Sequence, residues 1–348
     1  MSDFAARLIR WQRQHGRHDL PWQGGDAYSV WVSEIMLQQT QVATVIPYYQ
    51  RFMAAFPDVS ALARASEDDV LALWSGLGYY ARGRNLHRAA QQMAAQHQGQ
   101  FPRDYETILA LPGIGRSTAS AICALAFHER RAILDGNVKR LLARHRGIDG
   151  WPGNPKVEMQ LWQQAEVLLP EKDVAIYTQA LMDMGATVCT RHRTDCTPCP
   201  VWEDCVALAE NRVNTLPSSR PRKPLPEKQT TFLLLLHNNE LLLEKRPGSG
   251  IWGGLWCPPQ LEEDSASVSD YALRNGLDLE LCDQTELAAM VHSFTHFKLH
   301  ITPVLLRLGR KPQRLGQLGR VWLALDDIDA AAIPAPVRSL LPKIKNAR

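Results

Sequence analysis

Residues 111–127 read LPGIGRSTASAICALAF. A Pro-Gly pair, one apolar residue and a second glycine precede small and apolar side chains at helical spacing. The stretch predicts a helix, a tight glycine hairpin, and a second helix starting near Ser117. Gly113 and Gly115 let backbone amides approach a phosphate at the positive N-terminal end of that second helix. A corner between two packed helices would use the same glycines without any ligand, and the stretch alone does not separate the two readings.

The rest of the chain narrows the choice. At 348 residues it exceeds one typical core, and two domains are expected. With 45% hydrophobic and 22% charged residues it reads as an ordinary globular protein. No apolar run approaches a membrane span, and MSDFAARLIRWQRQHGR at the N-terminus lacks the apolar segment of a secretory signal. The expected compartment is the cytoplasm, with association to the nucleoid in a bacterium. Nothing advertises an oligomer interface, so a monomer is expected.

In a reducing compartment, clustered cysteines point to a metal or redox site. Four of the seven cysteines fall in CTRHRTDCTPCPVWEDC, residues 189–205, spaced Cys189-x6-Cys196-x2-Cys199-x5-Cys205. Four thiolates suit either a [4Fe-4S] cluster or a structural zinc by ligand count. Zinc often takes two CxxC knuckles and this loop has one, which places iron-sulfur first by a modest margin.

Two carboxylates stand out. In ILDGNVKRLLAR, Asp135 precedes Gly136, Asn137 and an amphipathic run, so it sits at or near a helix N-terminus. A helix cap accounts for an aspartate there, and the same location favours its ionised form. Upstream, in YSVWVSEIMLQQTQVATVIPYYQRF, Glu34 borders an apolar stripe of Trp31, Ile35, Val42 and Val45. It is either a glutamate at the stripe's edge or, packed against Trp31 and Ile35, an acid with a raised pKa. An acid of raised pKa beside an ionised partner is the pair that glycosidic cleavage uses.

SEIMLQQTQVATVIPYY, WSGLGYYARGRNLH, LPGIGRSTA, ILDGNVKR and the four-cysteine loop together resemble the MutY-type adenine DNA glycosylases of the endonuclease III helix-hairpin-helix superfamily, over roughly residues 10–210. The resemblance implies a mostly α helix-hairpin-helix glycosylase domain with an iron-sulfur loop. It implies one [4Fe-4S] cluster on Cys189, Cys196, Cys199 and Cys205, and removal of adenine mispaired with guanine or 8-oxoguanine in double-stranded DNA. By the same resemblance Glu34 protonates N7 of the flipped-out adenine. Asp135 stabilises the oxocarbenium-like sugar, and Asn137 assists it. Tyr79 wedges into the duplex, with Gln39 and Leu77 as further void-filling contacts. Trp22 and Asp183 match positions lining the adenine pocket, although each also suits a core. Where bifunctional relatives carry a nucleophilic lysine, this chain has Ser117, which cannot form an imine; the expectation is a monofunctional enzyme leaving an abasic site. Lys139 could still give weak adventitious trapping.

Residues 214–229, NTLPSSRPRKPLPEKQ, hold four prolines and read as a stiff linker between a glycosylase domain at 1–213 and a second domain at 230–348. Between 217 and 229 Arg220, Arg222, Lys223 and Lys228 oppose Glu227, a local +3 that matches the whole chain's net charge of +3. Global charge is therefore a weak sign of DNA binding. Beyond the linker TTFLLLLHNNELLLEKRP predicts a strand hairpin. The pattern resembles an α/β Nudix-like domain, yet PQLEEDSASVSDYALRNGL lacks the glutamate array of a Mg²⁺-dependent hydrolase. The resemblance implies a reader of oxidised guanine, with Phe294, Thr295 and His296 in its recognition turn and threonine where serine is usual.

Overall fold

The structure is a computed structural model that describes residues 3–221, 224–262, 267–312 and 319–347. The helices are α1 (Asp3–His15), α2 (Ala27–Leu37), α3 (Val42–Ala55), α4 (Val59–Arg64), α5 (Glu67–Trp74), α6 (Ala81–Gln96), α7 (Tyr105–Leu109), α8 (Arg116–Phe127), α9 (Gly136–Arg146), α10 (Pro155–Val167), α11 (Val174–Asp183), α12 (Val206–Ala209), α13 (Val268–Asn275) and α14 (Ala335–Asn346). The strands are β1 (Glu227–His237), β2 (Glu240–Lys245), β3 (Trp256–Cys257), β4 (Gln260–Glu262), β5 (Cys282–Glu286), β6 (Met290–Ser293), β7 (Lys298–Leu308) and β8 (Arg320–Ala324). No described helix is long and apolar enough to cross a membrane.

Two compact units emerge, Met1–Arg64 with Asn85–Arg222 and Ala65–Arg84 with Lys223–Arg348. The first is helical. Leu8 of α1, Ala121 of α8, Val138 and Leu141 of α9, Leu161 of α10 and Leu181 of α11 share one buried cluster, each leucine contributing roughly 1.5–3 kcal/mol by leaving water. The glycine hairpin opens α8 with Gly115 as its N-cap. Gly113 has φ +81, and a Cβ there would meet the Asn85 Cβ at 2.8 Å, so the turn needs glycine on both counts. A five-residue π-turn, Met184–Val188, follows α11 and leads into Cys189.

The second unit is built on one sheet in the order β3-β2-β1-β7-β5, with β4 on β1, β6 on β7 and β8 on β2. β1 and β7 are parallel, with Thr230 opposite Ile301; the β1–β2 hairpin closes with His237 opposite Glu240. β1 is central and covered on both faces. Phe232, Leu234 and Leu236 share a cluster with Val337, Leu340 and Ile344 of α14, while Leu233 and Leu235 share another with Tyr271 of α13. Burial on both faces explains why this strand reads as an unbroken apolar run rather than an alternation.

Residues 65–84, which the sequence reading assigns to the 1–213 domain, pack with the C-terminal unit. Leu71 of α5 is buried in the Phe232 cluster, Ser75 Oγ donates to the Ile333 carbonyl at 2.8 Å, and Lys245 pairs with Asp68 at 2.8 Å. The stretch read as linker is also partly structured. Leu216 is buried, its carbonyl accepts a bond from Arg144 Nε, and β1 already begins at Glu227. Arg222 and Lys223 of that stretch, and residues 263–266 of the segment compared with a Nudix helix, lie outside the described residues.

Candidate active site

Asp135 caps α9: its Oδ1 accepts the Val138 amide at 2.8 Å. Glu34 lies on α2, itself capped by Asp26 through the Ser29 amide. Burial pushes the Glu34 carboxyl up to about 8, and the neighbouring Asp135 carboxylate adds to the rise. Asp135 is also raised, chiefly by burial, but it is pulled back by the Val138 amide, by Arg140, by the Asn137 amide and by Lys139. At Asp135 desolvation outweighs the helix terminus and the other donors around it. The asymmetry survives, because donors and cations face Asp135 whereas both influences on Glu34 raise it. Of the two, Asp135 is the one that ionises first.

Asn137 Oδ1 accepts from Arg140 Nη2 at 2.8 Å. Ser117, the second residue of α8, accepts the Leu134 amide on its Oγ at 2.9 Å and so ties down the residue just before Asp135. Lys139 Nζ is held by Glu158 at 2.7 Å. Gly115 leads into α8 with open space where a Cβ would stand.

Other predicted residues scatter in role. Gln39 and Tyr79 are exposed and both adopt left-handed backbone, at φ +59 and +48, a strain that tends to collect at functional turns. Leu77 is only 6% exposed and presents little surface. Trp22 is buried edge-on to Tyr49, with centroids 5.3 Å apart. Asp183 is 0% exposed, and its oxygens accept from the Arg17 amide and guanidinium and from Gln179 Nε2. Its carboxylate is therefore already committed to anchoring the segment around Arg17 to α11.

Cys189, Cys196, Cys199 and Cys205 line one cavity. Among the described residues no three His, Cys, Asp or Glu side chains form a set that could hold a single metal ion. The four sulfurs surround a shared space without closing on one point. Burial raises the Cys196 and Cys205 thiols and pushes Cys199 up to about 12, so a bound metal would have to displace their protons. Arg144, 4% exposed, donates to Cys189 Sγ at 3.3 Å and to the Thr190 carbonyl and Thr194 hydroxyl. Among the described residues its side chain reaches thiol, carbonyls and hydroxyl and no carboxylate, so an anionic group in the cavity would balance it.

In the second unit, the turn from β6 to β7 carries Phe294, Thr295 and His296. Phe294 stacks on Phe297 at 4.5 Å and lies 5.6 Å from Trp252. Thr295 and His296 are exposed at the tip, with Thr295 Oγ1 3.4 Å from His296 Nδ1.

The chain is 37% identical to the adenine DNA glycosylase of Buchnera aphidicola subsp. Acyrthosiphon pisum, over 98% of this chain and 97% of the relative. The chain belongs to the adenine DNA glycosylases. It is thus a base-excision-repair enzyme that hydrolyses the N-glycosidic bond of adenine in DNA. The human adenine DNA glycosylase is 35% identical over 98% of this chain and 73% of its own length. Residues 32–166 match the HhH-GPD superfamily of base excision DNA repair proteins and residues 230–343 match the NUDIX domain. A thermostable thymine-DNA glycosylase superposes with a TM-score of 0.54 at 26% identity, covering 60% of this chain and 95% of that one.

Three residues around the site escaped the sequence reading. Arg140 donates from Nε to the Cys189 carbonyl at 2.8 Å and from Nη2 to the Gly185 carbonyl at 2.6 Å, so one guanidinium joins Asn137, the π-turn and the cysteine loop. Arg144, one turn on, reaches the cysteine itself. Gly185 packs so tightly that a Cβ would fall 2.4 Å from the Asn137 Cβ. The signal available was two arginines four residues apart on the helix capped by Asp135, which place two cations on one face.

Proposed function

We propose that this enzyme excises adenine paired with 8-oxoguanine or guanine by extruding the nucleotide and hydrolysing its glycosidic bond with Glu34 and Asp135. The observation that carries the reading is the pair of neighbouring carboxyls in unlike surroundings, one shifted to about 8 and the other surrounded by donors. At neutral pH Glu34 holds its proton and delivers it to N7 of the flipped adenine. The bond from N9 to C1′ then breaks, and the base leaves neutral. The Asp135 carboxylate faces the cationic sugar, with Asn137 beside it, until water adds at C1′, gives its proton to the Glu34 carboxylate and leaves an abasic site. A monofunctional outcome is supported by Ser117, whose hydroxyl is engaged with the Leu134 amide, and by Lys139, whose ammonium is held by Glu158.

The hairpin amides at Gly113 and Gly115 and the exposed Gln39 and Tyr79 would meet DNA, with Tyr79 as the wedge. Phe294, Thr295 and His296 would read the base opposite adenine. Cys189, Cys196, Cys199 and Cys205 fit one [4Fe-4S] cluster: a thiol-lined cavity with a buried Arg144 cation facing it. Bound there, the cluster would cross-link the loop that joins the π-turn after α11 to α12. Trp22 and Asp183 belong to the proposal only as the frame of an adenine pocket.

Single-turnover reactions on end-labelled duplexes with adenine opposite 8-oxoguanine, guanine or thymine, each split with and without alkali, test it. Release opposite the first two and not opposite thymine, with strand breaks only after alkali, is expected. Breaks without alkali, or equal release from all three, would overturn the reading.

A further inference from the structure

The segment from Trp74 to Arg82 turns through Gly76 at φ +105, Gly78 at φ +72 and Tyr79 at φ +48. Glycine adopts such angles freely; a tyrosine does not, and holding it there costs free energy that surrounding contacts must offset. Tyr79 is nevertheless 45% exposed, so its own ring is not buried deeply enough to pin it. The contacts that pin it converge on one side chain. Arg82 Nη2 donates to the Gly78 carbonyl at 3.2 Å and to the Leu77 carbonyl at 3.4 Å, and the Arg82 amide donates to the Tyr79 carbonyl at 2.8 Å. Its guanidinium carbon lies 5.5 Å from the Tyr79 ring centroid and 5.5 Å from that of Trp74. Trp74 is fully buried, and its Nε1 donates to the same Gly78 carbonyl at 3.2 Å.

From this geometry we infer that Arg82 is a positioning residue, a planar brace that fixes the left-handed turn and so holds the Tyr79 ring upright for insertion into the duplex. The inference rests on the wedge role proposed above for Tyr79. A guanidinium suits the task where an ammonium would not. Its Nη2 donates to two carbonyls while its guanidinium carbon stands 5.5 Å from two ring centroids, and the ammonium of lysine has no flat face to set beside rings. A direct contact to a DNA phosphate explains the residue less well, because its Nη2 is already turned inward onto the Gly78 and Leu77 carbonyls. The neighbouring Gly83 belongs to the same arrangement, since a Cβ there would stand 3.0 Å from the Trp74 ring.

Arg82→Lys and Arg82→Gln separate a brace from a charge. On a well-stacked A:8-oxoguanine duplex both variants should release adenine about tenfold more slowly than wild type in single turnover, the size expected for losing one charge-assisted hydrogen-bonded contact. On a duplex whose flanking pairs are mismatched, so that the adenine is already unstacked, the loss should shrink to roughly twofold, because less extrusion work remains. Without DNA, chymotrypsin should cut after Tyr79 faster in both variants while the thermal midpoint stays near that of wild type. Full activity in Arg82→Lys would show that charge alone matters and overturn the brace. Equal losses on both duplexes, or unchanged proteolysis, would overturn it as well. Failure of wild type to release adenine, or indifference to Tyr79→Ala, would instead sink the wedge reading, and the proteolysis comparison would still decide whether Arg82 holds the turn.

Discussion

Replacing Glu34 by glutamine should stabilise this protein even as it stops the reaction. In the folded chain the Glu34 carboxyl titrates near 8, against an ordinary 4.5. The native state therefore binds this proton more tightly than the unfolded chain does. Below about pH 4.5 both states are protonated and the group is neutral to stability. Between 4.5 and about 8 the unfolded chain gains by ionising, so stability falls as pH rises; above 8 the penalty is constant. Neutral pH lies about 2.5 units above 4.5, and each unit is worth about 1.36 kcal/mol, which makes the penalty ~3 kcal/mol at pH 7. The side chain keeps partial solvent access, so this figure is a ceiling. Glutamine has nearly the same shape and no charge to desolvate. A gain of that size corresponds to roughly 5–10 °C in the melting midpoint of a domain of 150–250 residues. The assay is urea or thermal unfolding of wild type and Glu34→Gln, followed by far-ultraviolet circular dichroism from pH 4.5 to 8.5. Any mismatch from the extra amide protons adds a constant offset, whereas the account demands a gap that widens with pH up to about 8. A gap independent of pH, or a variant that loses ground to wild type as pH rises, would refute the reasoning.

Gly185→Ala should cost ~1–3 kcal/mol by overpacking against Asn137, and adenine release in single turnover should drop about tenfold or more as the α9 terminus shifts; normal release would show that Asn137 needs no fixed seat. Arg144→Gln leaves the Thr190 and Leu216 carbonyls short of a donor, and the iron-loaded protein should lose its visible absorption to a chelator faster than wild type. Asp183→Asn removes the countercharge of Arg17 and should lower stability by ~3 kcal/mol, with release well below the melting temperature retained to within a few fold. A collapse of rate at unchanged stability would move Asp183 from the frame into the adenine pocket.

Features with local causes were legible in the sequence. The glycine hairpin before α8, the cap at Asp135 and the β1–β2 turn each follow from side chains within a few residues, because glycine and capping signals act over that range. Tertiary causes were not. Leu77 reads as a candidate contact by resemblance, and the 6% exposure of its side chain is not a local property of the sequence. Residues 65–84 look continuous with the helical domain, and only the Leu71 and Ser75 contacts reveal where they pack. Asp135 shows the same limit within one residue: its cap was readable, whereas the desolvation that outweighs the cap was not. Arg140, Arg144 and Gly185 matter through a helix, a π-turn and a loop that meet only in three dimensions.

The most direct test of the central claim is the pH dependence of single-turnover adenine release from an A:8-oxoguanine duplex, run on wild type and on Glu34→Gln. The account predicts a wild-type rate that holds up to about pH 8 and then falls tenfold per unit, because the protonated acid is the reactive form. It predicts a loss of roughly 10²–10⁴-fold in the variant at every pH below that break. Release from Glu34→Gln at close to the wild-type rate, or a wild-type rate that climbs through pH 8, would contradict it.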